Sequence, residues 1–324
     1  MRILVVLPNW LGDAIMATPA IELLAQNYPH AKFTFVGSFV SIEALKHHPL
    51  CQSAIVDETK KAPSRLLATY KLAKKLGEFS LAITFRNQLH SSLLLRFTGS
   101  VICLAKSSWH SKLLLSHTPK IKTDKHLVEQ YSELAMINSD SFDGHIPKLT
   151  LFIKAKKFEK PTLGINAGAT YGSAKRWYPE RFAEVAAAFS DSYEIIIFGG
   201  PSEVEMAQEI EDNLIRLGIK NYTNLAGKTD IQALCSNIAG CSLFLTNDSG
   251  PMHVAAAYQV PTIAIFGPTK YKETSQWMNE KSVIVRKEME CSPCMKRECP
   301  LGHHECMKNI TSAEVIDVIK SLQI

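Results

Sequence analysis

Short, mostly apolar segments recur along the chain and alternate with helical patterns. Such segments stand at 3–7, 33–36, 162–166, 193–198 and 262–266. A strand that is apolar at almost every position is buried on both faces, as in a parallel sheet with helices on either side. The pattern therefore predicts an α/β fold built on doubly wound parallel sheets.

The runs form two series, separated by the charged stretch 154–161. With roughly 100–200 residues per domain, a chain of 324 residues has room for two domains. We expect residues 1–158 and 159–324 to form two Rossmann-like domains facing across a cleft, with ligands at the carboxyl ends of strands. The last helix is expected either in the second domain or packed back on the first. Helical patterns are found at 14–26, 64–76, 87–97, 179–189, 203–217, 231–239 and 251–258.

Charge is divided unevenly between the two predicted domains. Residues 1–158 hold 20 Lys and Arg against 11 Asp and Glu, whereas residues 159–324 hold 16 against 20. The excess of basic residues in the first half indicates that it meets an anionic partner, and a solvated basic face is the alternative. Nucleic acid is disfavoured, because the cations are not interleaved with aromatic residues and no nucleic-acid-binding motif is present. The cations concentrate in a basic stretch between 106 and 126 that includes Lys112, Lys120, Lys122 and Lys125.

Apolar runs never exceed five residues, far short of the ~18–20 needed to span a membrane. Pro8 cuts the opening run below the ~7–15 residues of a signal-peptide core. Eight cysteines in 324 residues are too few for a disulfide scaffold. We therefore expect a cytoplasmic protein.

The first strand-to-helix turn contains Asn9, Trp10, Gly12 and Asp13. It lacks the G-x-G-x-x-G pattern of dinucleotide sites, and no P-loop is present. Asp13 falls where the helix is expected to begin. It is either a general base at the edge of the cleft or a first-turn carboxylate that stabilises the helix.

Two later turns have the composition of an anion site. Small residues, including Ala169 and Thr170, follow the predicted strand at 162–166, and the cations Lys175 and Arg176 come next. Adjacent cations can neutralise a diphosphate, and the alternative is a loop whose cations face water.

The predicted strand at 242–246 is followed by Asp248, Ser249 and Gly250, at the start of another helix. Free N–H groups and the helix dipole favour an anion at such a position. His253, one turn further on, is interpreted as a ligand contact, with a structural histidine as the alternative. Between these two turns, Gly199 and Glu203 could hold a ribose, or Glu203 could simply begin a helix.

Four cysteines near the end of the chain have the spacing C-x2-C-x4-C-x6-C. Four thiolates can form a structural zinc site, but the second half of this pattern is not a C-x-x-C pair. We predict no metal requirement, with zinc as the alternative. The residues concerned are Cys291, Cys294, Cys299 and Cys306, with His303 and His304 between them.

Taken together, these segments resemble the ADP-heptose:lipopolysaccharide heptosyltransferases of glycosyltransferase family 9, most closely those of the heptosyltransferase II type. The resemblance spans nearly the whole chain, except for the polar region 107–147. Its motifs are PNWLGDAIMATPAI, GATYGSAKRWYPERF, LAGKTDIQAL, TNDSGPMHVAAA and FGPT.

The resemblance implies a GT-B architecture and an inverting, metal-independent transfer of heptose from ADP-heptose to a heptose of the lipopolysaccharide inner core. It implies catalytic roles for Asp13 and Lys175, no cofactor, and a lipid-linked acceptor reached at an anionic membrane surface. Another family-9 transferase, such as heptosyltransferase I, and a nucleotide-sugar binding protein are the alternatives. Implied donor contacts are Ala169, Thr170, Lys175, Arg176, Gly199, Glu203, Ala226, Gly227, Asp248, Ser249, Gly250 and His253. Implied acceptor contacts are Asn9, Trp10, Gly12, Arg86 and Asn87.

Overall fold

The computed structural model describes residues 1–137, 139 and 142–322. The chain divides into two compact units, Met1–Phe152 and Ile153–Ile324. The division falls after Phe152 rather than after residue 158, because the following segment hydrogen-bonds within the second unit. The Tyr258 hydroxyl donates to the carbonyl of Ile153 at 2.6 Å, and the Lys156 N–H donates to the carbonyl of Ser236 at 2.9 Å.

The N-terminal unit contains a five-stranded parallel sheet in the order β3-β2-β1-β4-β5. Apart from Arg2, every residue of β1 is buried, as expected for a strand covered on both faces. The strands are β1 (Arg2–Val6), β2 (Lys32–Gly37), β3 (Cys51–Val56), β4 (Leu81–Thr84) and β5 (Ile102–Ala105). The helices are α1 (Leu11–Met16), α2 (Thr18–Asn27), α3 (Phe39–Leu45), α4 (Arg65–Leu76), α5 (Leu89–Thr98), α6 (Trp109–Leu114) and α7 (Leu127–Ala135), with a 3-10 turn at Thr59–Lys61.

The C-terminal unit contains a six-stranded parallel sheet in the order β11-β10-β9-β6-β7-β8. The strands are β6 (Thr162–Asn166), β7 (Glu194–Phe198), β8 (Tyr222–Asn224), β9 (Leu243–Asn247), β10 (Thr262–Phe266) and β11 (Ser282–Arg286). The helices are α8 (Pro179–Ala188), α9 (Val204–Arg216), α10 (Ile231–Gly240), α11 (Gly250–Ala257), α12 (Tyr271–Thr274), α13 (Glu305–Lys308) and α14 (Ser312–Ser321), with 3-10 turns at Ser173–Lys175 and Pro201–Glu203.

Each unit has its own apolar core between its sheet and its helices. The last helix, α14, lies in the C-terminal unit and packs against α8. Of the helical residues that the structure describes, none belongs to a segment long and apolar enough to cross a membrane.

One predicted helix, 14–26, is two helices in the structure. Helix α1 ends at Met16, and α2 starts at Thr18 with Pro19 in its first turn. Proline has no N–H to donate to a preceding turn, which breaks a continuous helix at this point. The Thr18 hydroxyl instead donates to the Ile15 carbonyl at 2.7 Å. The break makes α1 a short helix that carries Asp13 in its first turn.

Candidate active site

The carboxyl ends of β6 and β9 are joined by buried asparagine side chains. Asn166 donates to the carbonyl of Gly168 at 3.2 Å and to the Ser249 hydroxyl at 3.3 Å. The Asn247 side chain donates to the Ala167 carbonyl and accepts from the Trp177 N–H at 3.1 Å. These bonds fix the loop after β6 against the turn that starts α11, so the two turns predicted to bind anions form one site.

Lys175 and Asp248 form an ion pair at the centre of this site. The ammonium nitrogen lies 2.5 Å from a carboxylate oxygen and 3.3 Å from the backbone carbonyl of Asp248. The same carboxylate oxygen accepts a hydrogen bond from the Thr269 hydroxyl at 2.6 Å. Asp248 is 4% exposed. A buried carboxylate held on two sides fixes the position of the lysine head group.

The first turn of α11 faces the same edge of the sheet. Ser249 occupies the N-cap position, but its side chain makes no capping bond. The hydroxyl lies near the side chains of Thr246 and Asn166 instead. The dipole at the start of a helix favours an anion, although Pro251 has no N–H and the Met252 N–H donates to the Ser249 carbonyl at 3.1 Å. His253 lies deeper in α11 and is 3% exposed.

The loop after β6 approaches Lys175 from another side. Ala169 is buried, Thr170 is exposed and Arg176 is half-buried. The Tyr171 ring lies 4.8 Å from the Lys175 ammonium nitrogen, within the range of a cation–π contact. Gly172 packs so closely on the Arg297 carbonyl that a Cβ would lie 2.2 Å from its oxygen. The backbone of this loop therefore depends on the small residue at 172.

A second cluster forms at the ends of β7 and β8. The carboxylate of Glu203 accepts a hydrogen bond from the N–H of Gly200 at 2.7 Å and packs on the backbone of Gly168. The N–H of Gly227 donates to the Gly199 carbonyl at 2.9 Å, and Ala226 packs beside Gly199. The structure thus places Gly199, Glu203, Ala226 and Gly227 together, and Gly168 connects this cluster to the loop that precedes Lys175.

In the N-terminal unit, the turn after β1 is fixed by α3. The Ser38 hydroxyl donates to the Asn9 carbonyl at 2.7 Å, and the Ser41 hydroxyl donates to the carbonyl of Pro8. The Trp10 side chain is 56% exposed, while Gly12 is buried. This arrangement leaves a large aromatic surface at the carboxyl end of β1.

Asp13 is half-buried in the first turn of α1. It is not the N-cap, since Trp10 occupies that position. Burial and the nearby charge of Asp13 both raise the pKa of Tyr131 on α7, well above the usual phenol value. Because α1 follows β1, the Asp13 carboxylate lies near the carboxyl edge of the sheet, where parallel sheets bind ligands.

A buried cation stands near this turn, at the carboxyl ends of β3 and β4. Arg86, 8% exposed, donates through Nε to the Leu7 carbonyl and through Nη1 to Asp57 at 2.9 Å. Its buried Nη2 has no hydrogen-bond partner among the residues that the structure describes. The predicted acceptor residue Asn87 follows it and is exposed.

Two more basic side chains act on the same region. Burial lowers the pKa of His90, and the positive charge of Arg65 lowers it further. Burial also lowers the pKa of Arg86, with a smaller contribution from Arg65. Burial opposes ionisation of Asp57, but hydrogen bonds from Thr59 and the charge of Arg86 outweigh it and lower the pKa. Arg65, Arg86 and His90 thus lie near one another, with Asp57 paired to Arg86, and we call these three residues the cationic cluster.

Several of these residues were not predicted from the sequence. Thr269 follows the predicted strand at 262–266, so the rule that polar residues after strands bind ligands applies to it as well. Asp57 follows β3, whose half-exposed residues gave no continuous apolar run. Arg65 and Tyr171 carry no local signal, because their roles arise from tertiary contacts.

The four C-terminal cysteines line one small cavity with His303 and His304. Burial and the other three cysteines raise the pKa of the Cys306 thiol to about 11. Backbone N–H groups, that of His304 first, lower the pKa of Cys299. Within the described ranges, no group of three or more His, Cys, Asp or Glu side chains is arranged to hold a metal ion.

Comparison with known proteins places the chain in a family. The sequence profile of glycosyltransferase family 9 (heptosyltransferase) matches residues 69–305. The chain belongs to glycosyltransferase family 9. It is therefore a glycosyltransferase, and the family expected from its motifs is confirmed.

Full-length relatives carry heptosyltransferase names. Lipooligosaccharide heptosyltransferase 2 of Campylobacter jejuni is 41% identical over 331 residues, which cover 99% of this chain and 98% of that protein. Lipopolysaccharide heptosyltransferase 2 of Escherichia coli is 27% identical and is covered to 98%. The solved structure of the E. coli ADP-heptose lipopolysaccharide heptosyltransferase II matches with a TM-score of 0.82 and 26% identity, covering 99% of this chain and 98% of that one. The expected fold class, with two Rossmann-like domains as in the GT-B enzymes, is confirmed.

Proposed function

We propose that this enzyme transfers heptose from ADP-heptose to a heptose of the lipopolysaccharide inner core, with inversion at the anomeric carbon. The observation that carries the proposal is the Lys175–Asp248 pair beside the first turn of α11. A fixed cation next to the positive end of a helix dipole is suited to the diphosphate of a leaving nucleotide. The names of the full-length relatives support heptose as the transferred sugar.

On the donor side, we assign the diphosphate to Lys175 and the start of α11. An ammonium has three donors, and two of them are directed at Asp248, so the third is assigned to a phosphate oxygen. Arg176 adds positive charge, and Ser249, Gly250 and His253 form or support the helix start. We assign the nucleoside to the second cluster, where Glu203 can accept a hydrogen bond from a ribose hydroxyl. The remaining donor contacts are assigned to Ala169, Thr170, Gly199, Ala226 and Gly227.

On the acceptor side, we assign Asp13 as the general base and the cationic cluster as the binding site for an anionic group of the acceptor. A phosphate or carboxylate of the inner core could accept a hydrogen bond from Nη2 of Arg86, which is buried beside Asp57. Such bonds between ionised partners are stronger than neutral ones. Trp10 offers an apolar face for a sugar ring, and Asn9, Gly12 and Asn87 complete the proposed contacts.

The reaction is a single displacement. Asp13 takes the proton of the acceptor hydroxyl, whose oxygen forms a bond to the anomeric carbon of the donor. The bond from that carbon to the diphosphate oxygen breaks, and its electron pair leaves with ADP. Lys175 and the start of α11, with its helix dipole, stabilise the negative charge that grows on the departing diphosphate. These groups supply the charge stabilisation that a metal ion provides in other transferases.

We place this reaction at the cytoplasmic face of the inner membrane, where a lipid-linked acceptor would be presented. The uneven charge supports this placement, since the excess of cations falls in the N-terminal half. In the basic stretch, Lys112, Lys120 and Lys122 are exposed, whereas Lys125 pairs with Glu133 at 3.0 Å.

The proposal is tested by incubating the purified protein with ADP-heptose and a panel of truncated inner cores, and then measuring the molecular masses of the products. Addition of one heptose to a core that already carries one heptose is the expected result. Addition only to a heptose-free core would assign heptosyltransferase I activity instead. Binding of ADP-heptose without any product would assign a nucleotide-sugar binding protein.

A further inference from the structure

Six large apolar side chains are exposed on three consecutive helices of the N-terminal unit. Trp109 and Leu113, one turn apart on α6, are 73% and 79% exposed. Leu66 and Leu67 on α4 are each more than half exposed. We call the set the apolar rim: Leu66, Leu67, Tyr70, Leu89, Trp109 and Leu113.

Most members of the apolar rim lie at one edge of the unit. Helix α4 packs against α5, and α5 packs against α6. Helices α4, α5 and α6 follow strands β3, β4 and β5 of the parallel sheet. Each helix therefore begins at the carboxyl-terminal edge of that sheet. Four of the six residues lie in first turns, and the Ser92–His110 hydrogen bond at 3.0 Å joins the starts of α5 and α6. These four residues therefore lie at the edge that carries the cationic cluster, whereas Tyr70, further along α4, packs on Phe97 near the end of α5.

The surroundings of the apolar rim are strongly basic. Residues 57–122 contain twelve Lys and Arg but only three Asp and Glu. Two of those acids are paired, Asp57 with Arg86 and Glu58 with Lys61. Lys71 and Lys74 are exposed on α4, where the Lys74 ammonium lies 5.5 Å from the Tyr70 ring. Lys112 is exposed on α6 between Trp109 and Leu113.

We propose that the apolar rim enters the headgroup region of an anionic lipid bilayer, with the surrounding lysines on the lipid phosphates. Exposed Trp, Tyr and Leu beside lysines are the composition of membrane-surface segments. A second copy of this chain is a poorer occupant, because two such basic surfaces would repel each other. The inference deepens the proposed function and rests on it for its purpose, since an edge that binds a lipid-linked acceptor would then face the membrane.

The test uses the full chain and sedimentation with vesicles that contain no acceptor, so it does not depend on transfer activity. Vesicles of phosphatidylethanolamine with one third phosphatidylglycerol are compared with vesicles of phosphatidylcholine alone. The double variant W109S/L113S should bind the anionic vesicles more weakly by on the order of tenfold. Both side chains are exposed, so the fold should not depend on them. The matched control is I215S/L217S at the end of α9, which removes two apolar side chains, 56% and 50% exposed, from the other unit.

Two further measurements complete the test. Brominated lipids should quench the tryptophan fluorescence of wild type, and this quenching should be weaker in Trp109→Phe, which should still bind the vesicles. Activity on a water-soluble acceptor fragment should be the same in W109S/L113S as in wild type.

Equal binding of the variant and wild type, or equal binding of wild type to neutral and anionic vesicles, would overturn the proposal. A rim variant that converts a dimer to a monomer without changing vesicle binding would also overturn it and assign the rim to a protein interface.

Discussion

Replacing Lys175 with Met is expected to weaken ADP binding and slow turnover together. The ammonium lies 2.5 Å from Asp248 and is assigned to the diphosphate in both the bound donor and the transition state. A hydrogen bond to a charged group contributes ~1.5–3 kcal/mol, which corresponds to a loss of about 10–100-fold in ADP affinity. Because charge grows on the diphosphate as the bond breaks, kcat should fall further, by roughly 10²–10³.

Loss of Lys175 also leaves the buried carboxylate of Asp248 with Thr269 alone among the contacts described above. If Lys175 had only a structural role, its loss would lower stability and, through that, ADP affinity. Both stability and ADP affinity would then recover when both charges are removed. The double variant K175M/D248N tests this, since it keeps the shape and removes the pair. We expect it to regain thermal stability but not ADP affinity.

The assay is calorimetric titration with ADP, followed by steady-state kinetics with ADP-heptose. The matched control is Lys160→Met, which removes an exposed lysine that pairs with Glu194 at the opposite end of the same sheet. That variant should bind ADP like wild type. Unchanged ADP affinity in Lys175→Met, or full recovery of ADP affinity in K175M/D248N, would refute the assigned role.

Three other predictions follow from the N-terminal unit. Asp13→Ala should retain ADP-heptose affinity in calorimetry while turnover falls by ~10²–10⁴, and normal turnover would remove Asp13 from the mechanism. Asp57→Asn should destabilise the fold by ~3–5 kcal/mol in urea titrations at neutral pH, because it leaves Arg86 as a buried charge without its partner, whereas the exposed control Glu58→Gln should change stability little. The pKa of Asp57 is lowered in the folded state, so the difference in unfolding free energy between wild type and Asp57→Asn should be complete above about pH 5. It should shrink as the pH falls below the ordinary carboxyl range, and a difference that does not depend on pH would contradict the ion pair. Neutralising the exposed lysines of the basic stretch should raise the acceptor KM at low salt and leave that for ADP-heptose unchanged, and equal acceptor dependence would show that the stretch is a solvated face.

The fold, and the positions within it of the proposed site residues, were largely predictable from local signals. Buried strands give continuous apolar runs, and the ligand-binding edge of a parallel sheet lies where those runs end. This placed Asp13, Lys175 and Asp248 in the connections that follow β1, β6 and β9, where the structure has them.

Features that depend on tertiary packing could not be predicted in this way. The half-exposed edge strand β3 has no continuous apolar run, so neither the strand nor the role of Asp57 after it could be predicted. Periodicity through 14–26 concealed the break at Ala17, although Pro19 carried the signal. The pairing of Lys175 with Asp248 joins residues far apart in sequence, so only the fold shows that these two residues hold each other in place.

The most direct test of the central claim is proton NMR of the isolated reaction product. The enzyme is supplied with ADP-heptose and an inner-core acceptor that ends in one heptose. The account predicts a new glycosidic bond to that heptose, with the anomeric configuration opposite to that of the donor, formed by wild type and not by Asp13→Ala. A product with retained configuration, or the absence of any product while ADP-heptose is bound, would contradict it.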